Sequence, residues 1–199
     1  IPANTNIRID AKTTTNGFLV LDPGSYLSGA SLENVFGDAT IKQTGSTSTS
    51  AYNLWSSPVV GAVLGTVFSG ATDMYTFADG GADASAWSAA SGIMKYGKGY
   101  SITGVGGGTR SFTGTVNSND FFYNPMATGF CLVGNPFACI LDLADFFSTN
   151  TNLDGTAYLW KDDGTAGSGY GNDDYASWNT GGGVAASSGG ATPNGFIWP

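Results

Sequence analysis

The feature that most narrows what this chain can fold into is an internal repeat. Tyr52-Asn53-Leu54-Trp55-Ser56-Ser57-Pro58-Val59 lines up with Phe130-Cys131-Leu132-Val133-Gly134-Asn135-Pro136-Phe137, and the landmarks after each copy come in the same order. Val63, Leu64, Val67 and Phe68 answer Ile140 to Phe147; Tyr75-Thr76-Phe77 answers Tyr158-Leu159-Trp160; Trp87 answers Trp178; Gly99-Tyr100 answers Gly195-Phe196. Extra residues between matched apolar landmarks are what loop growth on a duplicated scaffold produces. The repeat therefore predicts an N-terminal strand region over 1–50, a first β-module over 51–125 and a second over 126–199. The first runs past Tyr100 through Arg110 to Val116 and on to Tyr123. The second stops at Trp198-Pro199 and lacks its last strands.

A sheet edge left open is a template for pairing. Two destinations are open to the surplus N-terminal strands. They fold back within the chain, or they add to a neighbouring subunit, which turns a head-to-tail contact into a filament.

Composition sets the kind of module. With 41% hydrophobic and 13% aromatic residues the chain is too apolar for disorder, while 31 Gly and only 11% charged residues favour strands and turns over amphipathic helices. Glu33 is the one glutamate; the other acids are Asp, at home in loops. Alternation marks strands at Ile7 to Ala11, Phe18 to Leu21, Thr40 to Lys42, Met74 to Phe77, Tyr100 to Thr103, Ser111 to Val116 and Ala157 to Trp160. Asn16-Gly17, Asp22-Pro23-Gly24, Asp79-Gly80-Gly81 and Asp163-Gly164 are among the turns between them. The expected fold is all-β: two related antiparallel β-sandwich modules, jelly-roll-like, with additional N-terminal strands. Only Ile140 to Phe147 has helical spacing.

Composition also excludes. The chain contains no His, which removes imidazole-based nucleophile activation and His-ligated metals. A net charge of -8 with seven scattered cations argues against nucleic acid. No apolar run approaches the ~18 residues of a membrane span. Without an initiator Met or signal peptide, the chain reads as a mature or trimmed piece.

The repeat landmarks also carry a family likeness. Tyr52 to Val59, Gly97 to Tyr100, Phe112 to Asp120 and Phe130 to Phe137 resemble the "W-H-L-x-S-S-P-V", Gly-Lys-Gly-Tyr, "F-x-G-T-x-N-x-G-D" and "W-N-L-V-G-N-P-Y-P" elements of secreted and surface proteins of the Bacteroidota. Many of these are large adhesin-like proteins exported by the type IX secretion system. Gly17 to Leu27 is similar to the "L-x-I-x-x-G-x-x-L" strand-turn rungs that precede such modules. The resemblance implies export, an extracellular or cell-surface location and an all-β module. In that class the chain runs on toward a C-terminal sorting domain. Cys131 and Cys139 depart from the pattern, standing where polar or small residues are usual.

Candidate chemistry is sparse. Gly92 to Gly99 nearly spells a phosphate-binding loop, but position 99 lacks the Ser or Thr that would hold magnesium, so a turn between strands is the better account. Asp162, Asp163, Asp173 and Asp174 flank a Gly-rich loop and form a weak calcium candidate; solvation of a long loop is the plainer reading. Asp142 and Asp145 are expected to cap or solvate the short helix. Cys131 and Cys139, separated by a Gly-Asn-Pro turn, either form a disulfide or remain two buried thiols. No Asp pair stands out as the two carboxylates of a glycosidase. Exposed aromatics would stack on a surface glycan, although Trp87, Trp160 and Trp178, at repeat-matched positions, are expected in the core.

The expectation is a non-enzymatic extracellular structural or adhesive protein without a cofactor, self-associating as the subunit of a surface filament. Its alternative is a carbohydrate-binding module of a larger secreted enzyme or adhesin.

Overall fold

The computed structural model describes residues 6–7, 13–14, 19–28, 35–45, 49–105, 108–120, 128–160, 162 and 174–199. Its N-terminal region holds β1 (Asn6–Ile7), β2 (Thr13–Thr14), β3 (Leu19–Leu21), β4 (Tyr26–Leu27), β5 (Val35–Phe36) and β6 (Asp38–Thr44). The first three strands pair in parallel with the second three: Asn6 with Tyr26, Thr13 with Val35, Leu19 with Ala39. Parallel neighbours need a long return path. Here one coil of chain supplies it by stacking on the other. Between β3 and β4, Asp22-Pro23-Gly24-Ser25 closes a turn with Pro second and Gly24 third at φ 78, and Ser25 N–H donates to the Asp22 carbonyl over 2.9 Å. This is the type II pattern, whose third position asks for glycine. Lys42 reaches back from β6 to Asp22 at 2.9 Å, and its hydrogen bond holds the Asp22 carboxyl below the ordinary value.

The first module contains β7 (Asn53–Trp55), β8 (Val59–Val60), α1 (Leu64–Val67), β9 (Asp73–Phe77), β10 (Trp87–Ala89), β11 (Tyr100–Thr103) and β12 (Thr109–Val116). Two sheets form from them, β10-β9-β11-β7 and β3-β6-β12-β8. The second is a joint construction, because β6 lies between β3 and the seven residues of β12 that pair with it antiparallel, Thr109 with Thr44 through Thr115 with Asp38. The N-terminal strands in the described residues thus fold back within the chain and complete the first module. Between the sheets Trp55, Phe68 and Phe112 meet at ring distances of 5.3, 5.9 and 6.1 Å, surrounded by Leu21, Ile41, Leu64, Met94 and Ile102. Alternation in β12 puts Phe112 and Val116 inward while Ser111, Thr113 and Thr115 face out.

The second module contains β13 (Leu141–Asp142), α2 (Leu143–Thr149), β14 (Ala157–Trp160), β15 (Tyr175–Asn179), β16 (Gly182–Val184) and β17 (Phe196–Ile197), arranged as sheets β14-β15-β16 and β13-β17. The helical spacing read from Ile140 begins three residues late. Leu141 and Asp142 are taken by β17, and Asp142 caps the helix by accepting the Ala144 N–H at 2.8 Å. The fold is all-β, with two short α-helices and one 3-10 turn, Ala84–Ala86, among the described residues.

Backbone pairing sets like contacts in the two halves at a register different from the one read in the sequence. Phe77 pairs with Trp87 in the first module, and Trp160 with Tyr175 in the second, each as an edge-to-face ring pair at 5.1 and 4.8 Å. Trp87 therefore answers Tyr175, not Trp178. Likewise Leu64 N–H donates to Gly92 and Leu143 N–H to Gly195. Ile93 faces Val63 as Phe196 faces Asp142. Gly92-Ile93-Met94 is thus the counterpart of Gly195-Phe196-Ile197, in place of Gly99-Tyr100 with Gly195-Phe196. Among the described residues, no strand pairs with β14 on the side that β11 takes on β9.

Of the strands expected from alternation, Tyr100–Thr103 and Ala157–Trp160 match their bounds, while Arg8 to Ala11 and Phe18 lie outside the described residues. The main core belongs to the first module and the N-terminal strands, with Ala138 the second module's contribution. Phe112→Ala should cost about 3–5 kcal/mol in denaturant unfolding. Tyr158→Ala, at a side chain 51% exposed, should stay within ~0.5 kcal/mol of wild type.

Candidate functional site

The second module is held by two turns of the first. Phe130 exchanges hydrogen bonds with the Asp79-Gly80-Gly81 turn, its carbonyl accepting from Gly80 at 2.9 Å and its N–H donating to Gly81 at 3.0 Å. Gly99 N–H donates to Leu132 at 2.9 Å and Gly134 N–H to Gly97 at 3.2 Å. Lys98 and Asp79, 2.6 Å apart, clamp the two turns together. The backbones approach so closely that a Cβ on Gly99 would lie 2.5 Å from Leu132 Cγ, and one on Gly134 2.1 Å from Ser56 Cβ. The Gly97 to Gly99 segment is accordingly a turn that docks the second module, as a non-nucleotide reading of it requires.

The matched Ser57-Pro58 and Asn135-Pro136 turns use one device. Each buried side chain accepts the backbone N–H two residues on, Ser57 from Val59 and Asn135 from Phe137. Asn135 also donates to Cys139 at 2.6 Å and Ile197 at 3.2 Å, tying three segments.

Divergence between the modules exposes one edge. In the first module β9 lies between β10 and β11. Its counterpart β14 pairs with β15, the counterpart of β10, and among the described residues no strand occupies the β11 side. The segment answering β7 is turned away, since Phe130 and Leu132 spend backbone groups on the first module; Phe130 touches Tyr158 only by ring edge, at 5.8 Å. On one face of this sheet Leu159 and Ala176 look toward the long segment between β16 and β17, which has no counterpart in the first module. There Ala186, Ala191, Thr192 and Pro193 roof a cavity of about 280 Å³ with Leu159, Trp160 and Ala176. The other face carries Tyr158 and Tyr175, answering Tyr75 and Trp87.

The residues singled out from sequence are scattered. Asp163 and Asp173 lie outside the described residues. Asp162 accepts the Tyr52 N–H at 2.7 Å, beside a 2.9 Å bond from Trp160 Nε1 to the Tyr52 carbonyl, and so serves the joint between modules. Asp174 is buried, with Oδ1 lacking a partner among the described residues. Among the described residues, no three His, Cys, Asp or Glu side chains converge as metal ligands. Cys131 and Cys139 are free thiols, because Cys131 lies in the segment docked on the Gly97 turn, whereas Cys139 pairs with Leu27 of β4. Of the tryptophans expected inside, Trp87, Trp160 and Trp178 are half-buried; the fully packed one is Trp55. The sequence reading expected an open edge on the second module but did not place it at β14, because it matched Gly99-Tyr100 to Gly195-Phe196.

These features define an all-β protein whose N-terminal coils and first module form one packed unit and carry a second, thinner module. The family model for the domain of unknown function DUF8693 matches residues 1–198, and the chain belongs to that family. No curated protein and no solved structure matches it.

Burial pushes the Cys139 thiol up to about 11, from an ordinary 9.0. The unfolded chain sheds this proton first, so the contribution of the neutral thiol is complete below pH 9 and lost as pH rises toward 11. Alkylation at pH 8 should modify Cys131 in the folded protein and Cys139 only after unfolding. Equal native labelling of both would contradict this packing.

Proposed function

We propose that the protein is a non-enzymatic structural or adhesive component outside the cell, a subunit of a surface filament assembled by strand addition between subunits. The observation that carries this reading is that β14 is the edge strand of its sheet among the described residues, whereas β9 lies between β10 and β11. A strand at the edge of a sheet, beside apolar surface, favours a further strand. Among the described residues the buried hydrophobics of the second module are Leu143, Ala176 and Ala186 beyond Ala138 and Cys139. An added strand would supply surface to bury. An edge used by one copy and a different surface offered by the next give a heterologous contact that propagates. The extracellular setting rests on the resemblance to type IX-secreted surface proteins, and the lack of His leaves the chain poorly equipped for hydrolysis at neutral pH.

Sedimentation over a range of concentrations, with electron microscopy of the same samples, tests the reading. Head-to-tail oligomers should form and grow with concentration. Tyr158→Lys, which places a charge at the edge, should shift them to monomer with an unchanged circular dichroism spectrum. A wild-type chain that stays monomeric throughout would sink the filament.

One observation favours the alternative of a glycan-binding module. Phe130, Tyr158 and Tyr175 are 55%, 51% and 41% exposed, and Tyr158 and Tyr175 lie on the same sheet face, a strip of rings onto which sugar faces can stack. On a glycan array this reading expects saturable binding that Tyr158→Ala or Tyr175→Ala abolishes. Binding indifferent to both substitutions would remove it.

A further inference from the structure

The cavity of about 280 Å³ in the second module has walls that the protein's own contacts hold in place. Its floor is the Leu159 and Ala176 side of the β14–β15 hairpin, and its roof is the segment from Ala186 to Asn194. Close backbone contacts seat that roof. Pro193 lies so near β16 that a Cβ on Gly183 would collide with its carbonyl oxygen, and a Cβ on Gly195 would come 2.8 Å from the Trp178 ring. The Gly195 carbonyl also accepts the Leu143 N–H at 2.8 Å. One wall is the Trp160 indole, held by its 2.9 Å hydrogen bond to the Tyr52 carbonyl and by its edge-to-face contact with Tyr175 at 4.8 Å. A pocket already shaped before its ligand arrives loses little free energy to ordering on binding.

The lining decides what fits. No ionisable side chain is among the described lining residues, so a charged group would enter without a partner and a neutral ligand is favoured. Ala176 and Ala186 are buried, while Thr192 and Asn194 are exposed, so the cavity runs from an apolar interior to a polar mouth. Asn194 Oδ1 accepts the Phe196 N–H at 3.2 Å, which leaves Nδ2 as a donor without a partner among the described residues. Thr192 adds a hydroxyl, both donor and acceptor. The volume lies just below the ~300–1,000 Å³ usual for small-molecule pockets and suits one sugar unit.

We propose that this cavity binds the acetamido group of an N-acetylated amino sugar. The acetyl methyl enters the space between Leu159, Ala176 and Ala186, and the acetyl carbonyl accepts from Asn194 Nδ2. The Trp160 indole lies along the flat amide, and the sugar hydroxyls meet Thr192 and water at the mouth. A plain hexose would set hydroxyls against alanine methyls without partners. A 6-deoxy sugar has the methyl but no carbonyl for Asn194. The site goes beyond both readings above, since the strip of exposed rings lies on the opposite face of the sheet and no second copy takes part.

Saturation-transfer NMR on the full chain tests it, with N-acetylglucosamine and N-acetylgalactosamine as probes and glucose, galactose and fucose beside them. The N-acetyl sugars should bind saturably, with the strongest transfer to the acetyl methyl, and the other three should not bind. Ala191→Leu, which enlarges an exposed lining residue, should abolish binding. Asn194→Asp keeps the acceptor for Phe196 but sets an acceptor against the acetyl carbonyl, and should weaken binding about tenfold. Tyr158→Ala should bind as wild type does. Binding that survives both cavity variants and disappears in Tyr158→Ala would assign the sugar to the ring strip, overturning this site while the glycan-binding reading stands. Fucose or glucose bound as tightly as the N-acetyl sugars would overturn the acetamido assignment, and no binding by any of the five would remove the site. Binding lost in both cavity variants of a chain that stays monomeric upholds the site while the filament falls.

Discussion

The antiparallel ladder between β6 and β12 is the interaction on which the rest of the molecule depends. It joins residues far apart in sequence over seven consecutive pairs, Asp38 to Thr44 against Thr115 to Thr109. Without it the β10-β9-β11-β7 sheet would have nothing against which to bury Trp55, Tyr100 and Ile102. The N-terminal coils would lose the strand that anchors β3. Its inner face supplies Ile41 and Phe112 to the core, and its outer face adds side-chain hydrogen bonds such as Thr40 to Thr113 at 2.9 Å and Thr115 to Asp38 at 2.8 Å. Such contacts between exposed polar groups add little each. The packed aromatic trio beneath them carries the stability, because its burial removes large apolar surfaces from water.

Against this frame the second module reads as the same wiring with one sheet left out. The buried turn side chain before proline, the helix start bonded to a glycine carbonyl and the aromatic pair across the hairpin all recur. The two modules differ, among the described residues, on the side of β9 that β11 occupies, where β14 has no paired strand. The long segment after β16 roofs the orphaned sheet face instead, but it is rich in Gly, Ala and Ser, and small side chains leave a cavity. The module is kept in place from outside by the Gly80 and Gly99 turns, the Trp160 and Asp162 contacts to Tyr52, the Tyr26–Trp198 ring contact at 5.5 Å, and Gln43 reaching the Pro199 carbonyl.

Much of this was legible in the chain, and the rest was hidden for identifiable reasons. Strands bounded by turn residues and alternating cleanly, such as Tyr100–Thr103 and Ala157–Trp160, could be read to the residue. Matching Trp87 to Trp178 failed because likeness of residue type was allowed to outrank hairpin register, which loop geometry sets and which puts Tyr175 opposite Trp160. The strand β13 was masked by the helical spacing beginning at Ile140, since two residues are too few to show alternation. Parallel stacking of the N-terminal strands has no local signal either; only the structure pairs Leu19 with Ala39. The cysteines looked joinable through the Gly-Asn-Pro turn, yet backbone pairing commits the segments they occupy to different neighbours.

The character of the β14 edge bears on what approaches it. Exposed edges that must stay monomeric are defended by Lys, Pro, a bulge or an inward-pointing charge. Ala157-Tyr158-Leu159-Trp160 has none of these, and its unbroken register with β15 leaves no bulge. Four uncharged residues rich in aromatics are an aggregation hazard unless something specific covers them. A sugar stacked on Tyr158 and Tyr175 would cover rings and leave the edge amides to water. An added strand, as proposed, would pair with this edge and bury the Leu159 side of the sheet in one step. Backbone pairing supplies affinity, and the two faces, one with a cavity and one aromatic, reject a strand whose alternation is out of phase.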